Sequence, residues 1–307
     1  MLEFVITRLC RSLTTLIVVF TAVFVGTRLS GNTLDYLFPN GLDESVRTEL
    51  TVYFGLDGSI TEQYVKFWRG LLQGNLGISL FEMRPVTEIY RERIGNTLIL
   101  FISSFLFSLV VGLPLGIIAA VKRGTKSASL IMAIAFIGYA TPNFILAIFF
   151  ILIFSFNLHW LPSSGQETWL HFVMPVLALG FAMTASVVRF SRSAILDVLG
   201  SDYIRTAYAK GLSEKIVIFK HALRNASIPI VLVVGLQVAG FVGAVVLVEA
   251  VFSLRGIGEL VVRAAIQRDY PVLQFGVIVW AIVVTGVSLF VDIIYGLIDP
   301  RVRITND

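Results

Sequence analysis

Residues 97–128 read TLILFISSFLFSLVVGLPLGIIAAVKRGTKSA. From Thr97 to Val121 there is no charged side chain, and then Lys122, Arg123 and Lys126 crowd one short stretch. A helix of roughly 20 apolar residues crosses the ~30 Å hydrocarbon core of a bilayer. Lysine and arginine in a short connecting loop mark the cytoplasmic side. The stretch therefore reads as one membrane crossing that ends in a basic inner loop.

The rest of the chain repeats the pattern. Apolar runs occur at about 12–29, 97–121, 129–157, 172–198, 229–251 and 272–298. Of the 307 residues, 56% are apolar and 14% charged, and mean hydropathy is +0.86. Soluble domains carry about 25% charged residues, so an all-α membrane protein of six spans is expected. Disorder is excluded by the apolar content. Cys10 is the only cysteine, which excludes an internal disulfide framework. No small-x-small cleavage pattern follows the first run, so an uncleaved span is expected there.

Charge sets the orientation. Loop 122–128 holds three cations and loop 158–170 none, so the former is cytoplasmic. The N-terminus with Arg8 and Arg11, and the C-terminus with Arg301 and Arg303, then lie on the same side. This arrangement puts 14 of the 24 lysines and arginines inside, while the acids fall mostly outside. The net charge of +4 needs no nucleic acid to explain it, since basic inner loops account for it. Residues 30–96 form a long outer segment, too polar to span. Within it Tyr64, Phe67, Trp68, Leu71 and Leu72 recur at helical spacing, as in an amphipathic helix lying on a membrane face or packed on the bundle. No internal repeat or linker divides the chain, so one domain over 1–307 is expected.

Several chemistries lack their residues. No G-x-x-x-x-G-K-[ST] loop occurs, and neither H-E-x-x-H nor G-x-S-x-G is present. The histidines are His159, His171 and His221. The first two flank the outer loop beside Trp160 and Trp169, where interfacial anchoring is the favoured reading over a metal site. His221 sits among Lys220 and Arg224, a poor place for a cation. A catalytic role and a metal are therefore not expected.

The inner loop 199–228 is long and patterned. Ser201 reads as an N-cap and Gly211 as a C-cap, because glycine takes the left-handed conformation cheaply. Between them lies a two-turn helix with Ala207 and Ala209. Ser213 can cap a second helix that reaches Asn225, after which Pro229 opens the fifth span. A short capped helix carrying alanines and a tyrosine suits a helix-in-groove contact with a partner; the alternative is a solvated connector.

The stretch Arg205-Thr206-Ala207-Tyr208-Ala209-Lys210-Gly211, followed by His221-Ala222-Leu223-Arg224-Asn225-Ala226, resembles the permease subunits of bacterial ABC importers of the peptide/nickel class. It is similar to their EAA loop, with Arg205 and Thr206 in place of Glu and Ala and a longer gap from glycine to proline. Further resemblance lies in Glu249-Ala250-Val251-Phe252-Ser253-Leu254-Arg255-Gly256-Ile257-Gly258 and Arg268-Asp269-Tyr270-Pro271, with Arg255 where proline is usual. Tyr53-Phe54-Gly55-Leu56-Asp57 and Gly74-Asn75-Leu76-Gly77-Ile78-Ser79 match as well. The family's Pro-Gly-Asp-Pro after the first span is replaced by Ser30-Gly31-Asn32-Thr33.

What the resemblance implies is a type I ABC importer permease fold, multi-pass in the bacterial inner membrane with both termini cytoplasmic. It implies a heteromeric complex with a second homologous permease, two ATPase subunits that use ATP and Mg, and a periplasmic or lipid-anchored solute-binding protein. Membrane lipid is the surroundings. Cofactors in this chain are not expected. Arg205, Thr206, Ala207, Ala209, Lys210 and Gly211 would couple to the ATPases, with Arg224 and Asn225 bracing the loop. Arg255, Gly256, Gly258, Arg268 and Asp269 are candidates for docking the binding protein.

For the pathway, Asn143, Gly235, Gly240, Gly243 and Glu249 are candidates. An ionisable residue at the depth of Glu249 is a functional hypothesis by default; pairing with Arg255 or Arg263 is the alternative. The three glycines make a small-residue face that serves close packing or leaves room for solute. Pro142 and Pro114 mark kinks in the third and second spans, and Asp292 should pair with a basic neighbour. The expected cargo is a di- or oligopeptide. Nickel or another metal chelate, glutathione or an opine is the alternative within the class, and a stand-alone secondary transporter is the less favoured reading.

Overall fold

The computed structural model describes residues 2–31, 34, 38, 41, 43–53 and 57–298. Arg301, Arg303, Asn32, Thr33 and 54–56, used in the sequence reading, lie outside these. Among the described residues the secondary structure is helical, with one isolated antiparallel bridge between Ile78 and Pro85. The helices are α1 (Leu2–Leu29), α2 (Glu44–Tyr53), α3 (Ile60–Leu72), α4 (Val86–Val121), α5 (Lys126–Ala140), α6 (Asn143–Phe150), α7 (Leu170–Leu199), α8 (Asp202–Ala209), α9 (Glu214–Ile216), α10 (Leu223–Val251), α11 (Ile257–Gln267) and α12 (Tyr270–Ile298). Stretches Ile151–Asn157 and Val217–Ala222 are π-helical extensions.

Phe4–Leu29, Val86–Val121, Leu170–Leu199, Pro229–Val251 and Tyr270–Ile293 are long and apolar enough to cross a membrane. The expected third span is different. Lys126–Ala140 and Asn143–Asn157 pass the same test together, but they meet at 104°. The kink expected at Pro142 is thus a complete break. Its cause is local. The residue before a proline is driven out of the α region, and Thr141 is extended at φ −90°, ψ 123°. The Thr141 N–H and hydroxyl both donate to the Ile137 carbonyl, at 3.0 and 2.7 Å. The Pro142 carbonyl then accepts from Ile145 and Leu146 at 3.0 and 3.2 Å, which starts α6. By contrast α4 runs unbroken through Pro114.

The chain forms two compact units. The first comprises 1–8, 98–254 and 286–307. Its centre is α7, whose buried residues include Met174, Ala178, Leu179, Ala185, Val187, Val188 and Ile195. Small residues bring its neighbours close. A Cβ on Gly112 of α4 would lie 2.8 Å from Val187, and one on Gly116 would collide with the Ser191 hydroxyl and lie 3.0 Å from the Val188 carbonyl. From α7, a Cβ on Gly180 would meet Phe107 at 2.8 Å; from α5, one on Gly138 would meet Phe181 at 2.8 Å. Helices without a solvent-driven force between them associate through this kind of contact. Exposed apolar residues on α4, among them Ile102, Leu106 and Val110, recur at helical spacing as expected of a face toward lipid or another membrane chain.

The second unit comprises 9–97 and 255–285. The amphipathic pattern around 62–72 is realised as α3, opened by a capping box of Ser59 and Glu62. Tyr64, Phe67 and Trp68 pack on Phe20 and Phe24 of α1, with ring centroids 5.2–5.8 Å apart. Tyr64 and Thr21 share a 2.8 Å hydrogen bond. Leu72, counted on that apolar face, is instead exposed. A second core joins Val86, Ile89 and Tyr90 of α4 to Ile257, Leu260, Ala264 and Val272. At 1.5 Å per residue the 36 residues of α4 span about 54 Å. It therefore begins eleven residues before the run expected at 97–121.

Overpacking a tight helix contact costs about 1–3 kcal/mol. Gly116→Leu is accordingly expected to lower the thermal unfolding midpoint of the detergent-purified protein. Gly240→Ala, where a Cβ meets no atom within 4 Å, is expected to leave it unchanged or slightly raised. Equal midpoints for Gly116→Leu and wild type would contradict the packing argument.

Candidate functional site

The loop that follows α7 is a small packed body. Ser201 is extended at φ −79°, ψ 152°, as an N-cap should be. Its hydroxyl does not cap, however; it donates to the Val198 carbonyl at 2.5 Å. At the other end Gly211 has φ +78°, the left-handed geometry expected of it. The Gly211 N–H donates to the Tyr208 carbonyl at 2.9 Å and the Leu212 N–H to the Ala207 carbonyl at 3.4 Å, which together make a Schellman motif. Leu212 then folds back on a core of Ile204, Ala207, Val217 and Ala222, joined by Val198 and Leu199.

The second helix of this loop was expected to end at Asn225. Instead Glu214 to Val251 is continuous through α9, the π-helical turn and α10. Pro229 lacks only its own N–H toward the Asn225 carbonyl. Its neighbours Ala226 and Ile230 are buried with Ala120, Ala194 and Ile195, and that packing keeps the helix going.

The two faces of α8 are now distinct. Ala207, expected to couple to a partner, is 6% exposed and points into the loop's own core. Arg205, Thr206, Ala209, Lys210 and Gly211 are exposed, and so are Tyr203 and Tyr208. Arg205 Nη1 lies 3.4 Å from Asp202 Oδ1. Asn225 braces the loop, since its Nδ2 donates to the Tyr203 hydroxyl at 2.7 Å. Arg224 is exposed, and its carbonyl accepts from Ser227.

In the second unit, the turn that carries the docking candidates is anchored to residues 79–97. The Thr97 hydroxyl accepts from the Ile257 N–H at 2.8 Å and so caps α11 from a distant part of the chain. Asn96 donates to the Arg255 carbonyl at 3.0 Å. Four charged residues interlock: Arg93 lies 2.8 Å from Glu259, Arg263 lies 2.9 Å from Glu82, and Glu82 also faces Arg93 at 3.7 Å. Arg268 closes α11 in the left-handed conformation, φ 57°. Asp269, next in sequence, is 3% exposed. Its carboxylate accepts from the Ser79 hydroxyl at 2.5 Å and from the Leu80 N–H at 3.2 Å. Of the docking candidates, then, Arg255 is exposed and Arg268 half-buried, while Gly256, Gly258 and Asp269 are buried. Asp269 holds the turn from within.

The pathway candidates also separate. A Cβ on Gly235 would collide with Val291, whereas Gly240 and Gly243 have no atom within 4 Å of a Cβ. Gly235 thus serves close packing, and the other two border open space. Glu249 is fully buried, and its carbonyl accepts from the Leu254 N–H at 2.9 Å. Arg263 is engaged by Glu82 and Glu259. Asn143 is the first residue of α6 after the break. Asp292 pairs with Arg8 at 2.9 Å, as expected. His171 pairs with Glu167, and no cluster of three metal-ligating side chains occurs among the described residues.

Sequence reasoning passed over two cations within α7. Arg189 stacks on Tyr139, 3.8 Å from the ring centroid, and Arg192 donates to the Ala119 carbonyl at 3.3 Å. The signal was available, since charged side chains inside a spanning run are functional candidates. A tyrosine was counted on α8, but neither Tyr203 nor Tyr208 was among the named contact residues; both are exposed.

These features define a helical, multi-pass membrane protein with a compact loop body after α7. Residues 112–304 match the family described as binding-protein-dependent transport system inner membrane component. The chain belongs to this family. It is 38% identical over 304 residues, 99% of either chain, to the glutathione transport system permease protein GsiC of Shigella flexneri serotype 5b (strain 8401). Identity and coverage are the same with GsiC of Escherichia coli (strain K12). Among solved structures, the inward-facing MetNI methionine ABC transporter has a chain similar in fold, with TM-score 0.59 at 21% identity, over 69% of this chain and 97% of that one. The protein is therefore a permease of a binding-protein-dependent ABC importer, a membrane subunit and not an enzyme.

Burial pushes the Asp269 carboxyl above its ordinary range, against hydrogen bonds from Ser79 and from backbone amides that pull it down. The unfolded carboxyl titrates near ~3.9, and the folded one higher. Between the two values the folded state binds more protons, so this residue's contribution to stability falls as pH rises through that window and is flat above it. In paired thermal melts across pH, wild type is expected to lose stability relative to Asp269→Asn through the window. A difference that does not change with pH would contradict this.

Proposed function

We propose that this chain forms the transmembrane path of an importer for short peptides, glutathione among them. The observation that carries the substrate class is the full-length, 38% identity to permeases of glutathione transport systems. In this reading the whole of 1–307 acts as one permease domain with both termini in the cytoplasm of a bacterial inner membrane. It pairs with a second permease. Two ATPase subunits bind ATP and Mg, and a solute-binding protein delivers the peptide to the opposite face.

The loop body after α7 is the proposed contact with the ATPase. Tyr203, Arg205, Thr206, Tyr208, Ala209, Lys210 and Gly211 present its surface, and Ala207 with Asn225 keeps it rigid. A helix-in-groove contact needs an exposed face on a helix that does not melt when pushed. The Schellman turn and the apolar core below α8 provide that. Arg255 and Arg268 are the accessible docking candidates for the binding protein. Asn143, Gly240, Gly243 and Glu249 are proposed to line or gate the path, and Gly235 to pack beside it.

Assembly and substrate are tested together. The tagged chain, co-expressed with its genomic neighbours, is purified in mild detergent and its ATPase activity assayed with binding protein, with and without glutathione. Co-purifying ATPases stimulated by the glutathione-loaded binding protein are the expected result. Stimulation by other peptides but not by glutathione would move the assignment to a di- or oligopeptide. An intact complex stimulated by neither would remove the peptide class.

The coupling assignment has its own test. No atom crowds Gly211, so a side chain there costs backbone strain only, about 1–2 kcal/mol. Gly211→Val is expected to cut transport at least tenfold in a complex that still assembles. Gly211→Asn, which tolerates the left-handed conformation, is expected to retain most of it. Wild-type transport by the valine variant would refute the assignment.

A further inference from the structure

Within the second unit, a cavity of about 340 Å³ opens between α1, α3, the 75–78 segment and the start of α12. This lies within the range of small-ligand sites, about 300–1,000 Å³. Its lining is polar on one side, with Arg28, Gln63, Lys66, Asn75 and Gln274, and apolar on the other. Among the described lining residues there are two cations and no acid.

Arg28 is the unusual member. Its guanidinium carbon stacks 5.1 Å from the centroid of the Phe24 ring. Its Nε is buried with no hydrogen-bond partner among the described residues, and no carboxylate among them lies within ion-pair distance of it. Several other cations of this unit are paired. Arg84, Arg93 and Arg263 each face glutamates, and Lys66 at the rim lies 3.2 Å from Asp57. A half-buried guanidinium without a counter-charge is costly, and ring stacking offsets only part of that cost. Its fork of donors matches the two oxygens of a carboxylate or phosphate. The geometry around it is fixed. Gln274 donates to the Thr27 hydroxyl at 2.6 Å, so the residues beside Arg28 are tied to each other and leave the guanidinium for a ligand.

We propose that this cavity binds one anionic group, a carboxylate or a phosphate, on Arg28, with Lys66 at its mouth. Two sources carry that chemistry: a soluble anion and the headgroup of an anionic phospholipid. The site lies apart from the proposed coupling loop and from the pathway glycines in the sequence, and its occupant would stabilise the α1–α3–α12 contact.

The test uses the purified complex in neutral detergent at constant ionic strength. Its unfolding temperature is titrated with acetate, with glycerol 3-phosphate and with phosphatidylglycerol, using phosphatidylcholine as control. A saturable rise with at least one anionic probe is expected. Arg28→Gln should move its midpoint at least tenfold to higher concentration, and Arg28→Lys by less. Lys66→Glu supplies a competing carboxylate from an exposed position that does not threaten folding, and should abolish the response. A response to phosphatidylglycerol alone assigns the lipid headgroup; a response to the soluble anions assigns a solute. No saturable response to any probe, or an unchanged response in Lys66→Glu and in whichever Arg28 variants accumulate, overturns the proposal. ATPase stimulation is not the readout, so failure here is separable from failure of the transport assignment.

Discussion

The first unit depends on the close approach of α4 to α7. Gly112 and Gly116 stand one turn apart on α4, and each leaves space that a methyl group would fill with Val187, Ser191 or the Val188 backbone. Lipid tails are as apolar as leucine, so apolar area alone gives two helices no reason to pair in a membrane. Contact distance supplies it, because dispersion falls steeply with separation. Once α4 and α7 are in place, the other neighbours of α7 find a rigid partner. Gly138 lets α5 sit on Phe181 and Ala185, and Ala120 and Ala194 form a small-residue seat for Ala226 and Ile230 of α10. The continuity of α10 through Pro229 follows from that seat.

The second unit solves a different problem. Its charged residues are many and α2, α3 and α11 are short, and polar anchoring fixes what packing alone would leave loose. Asp269 is buried because it ties residues 79–80 to the end of α11, and Thr97 caps α11 at its start. An exposed ion pair contributes little. The Arg93–Glu259 and Arg263–Glu82 pairs are partly shielded and are joined by the Glu82–Arg93 contact, which makes a network whose members hold each other in place.

Much of this was legible in the sequence, and the limits have physical causes. Five of six spans, α3 and the Gly211 turn could be read because each rests on a local rule: apolar length, helical spacing, the left-handed preference of glycine. The break at Thr141 was read as a kink, since the pattern locates a proline but not the angle that results. The end of the second loop helix was placed at Asn225 because Pro229 looked like a stop; burial of Ala226 and Ile230 outweighed it, and burial is not local. For the same reason Ala207 and Asp269 were assigned to surfaces they do not reach. Which face of a short helix is buried depends on residues such as Val217 and Ser79 that lie elsewhere in the chain.

Membership of the importer family gives these local facts a common sense. A permease that hydrolyses nothing itself must receive work through contact, and a contact transmits work only if it does not deform. In the proposed coupling role, the loop after α7 would meet that need with very few residues. The Schellman turn ends α8, Leu212 closes its core, and α9 continues without interruption into α10. A push on the exposed face of α8 therefore reaches Val217 and Ala222 through packed atoms, and from there runs along a continuous helix to Gly240, Gly243 and the buried Glu249. The same helix seats on α7 at Ala194 and Ile195. Movement imposed at α8 must thus either carry α7 with it or change the α7–α10 contact. Among the described residues that contact is built from alanines and branched apolar side chains, without ion pairs to break, and it is the natural place for a packed bundle to shift between discrete arrangements.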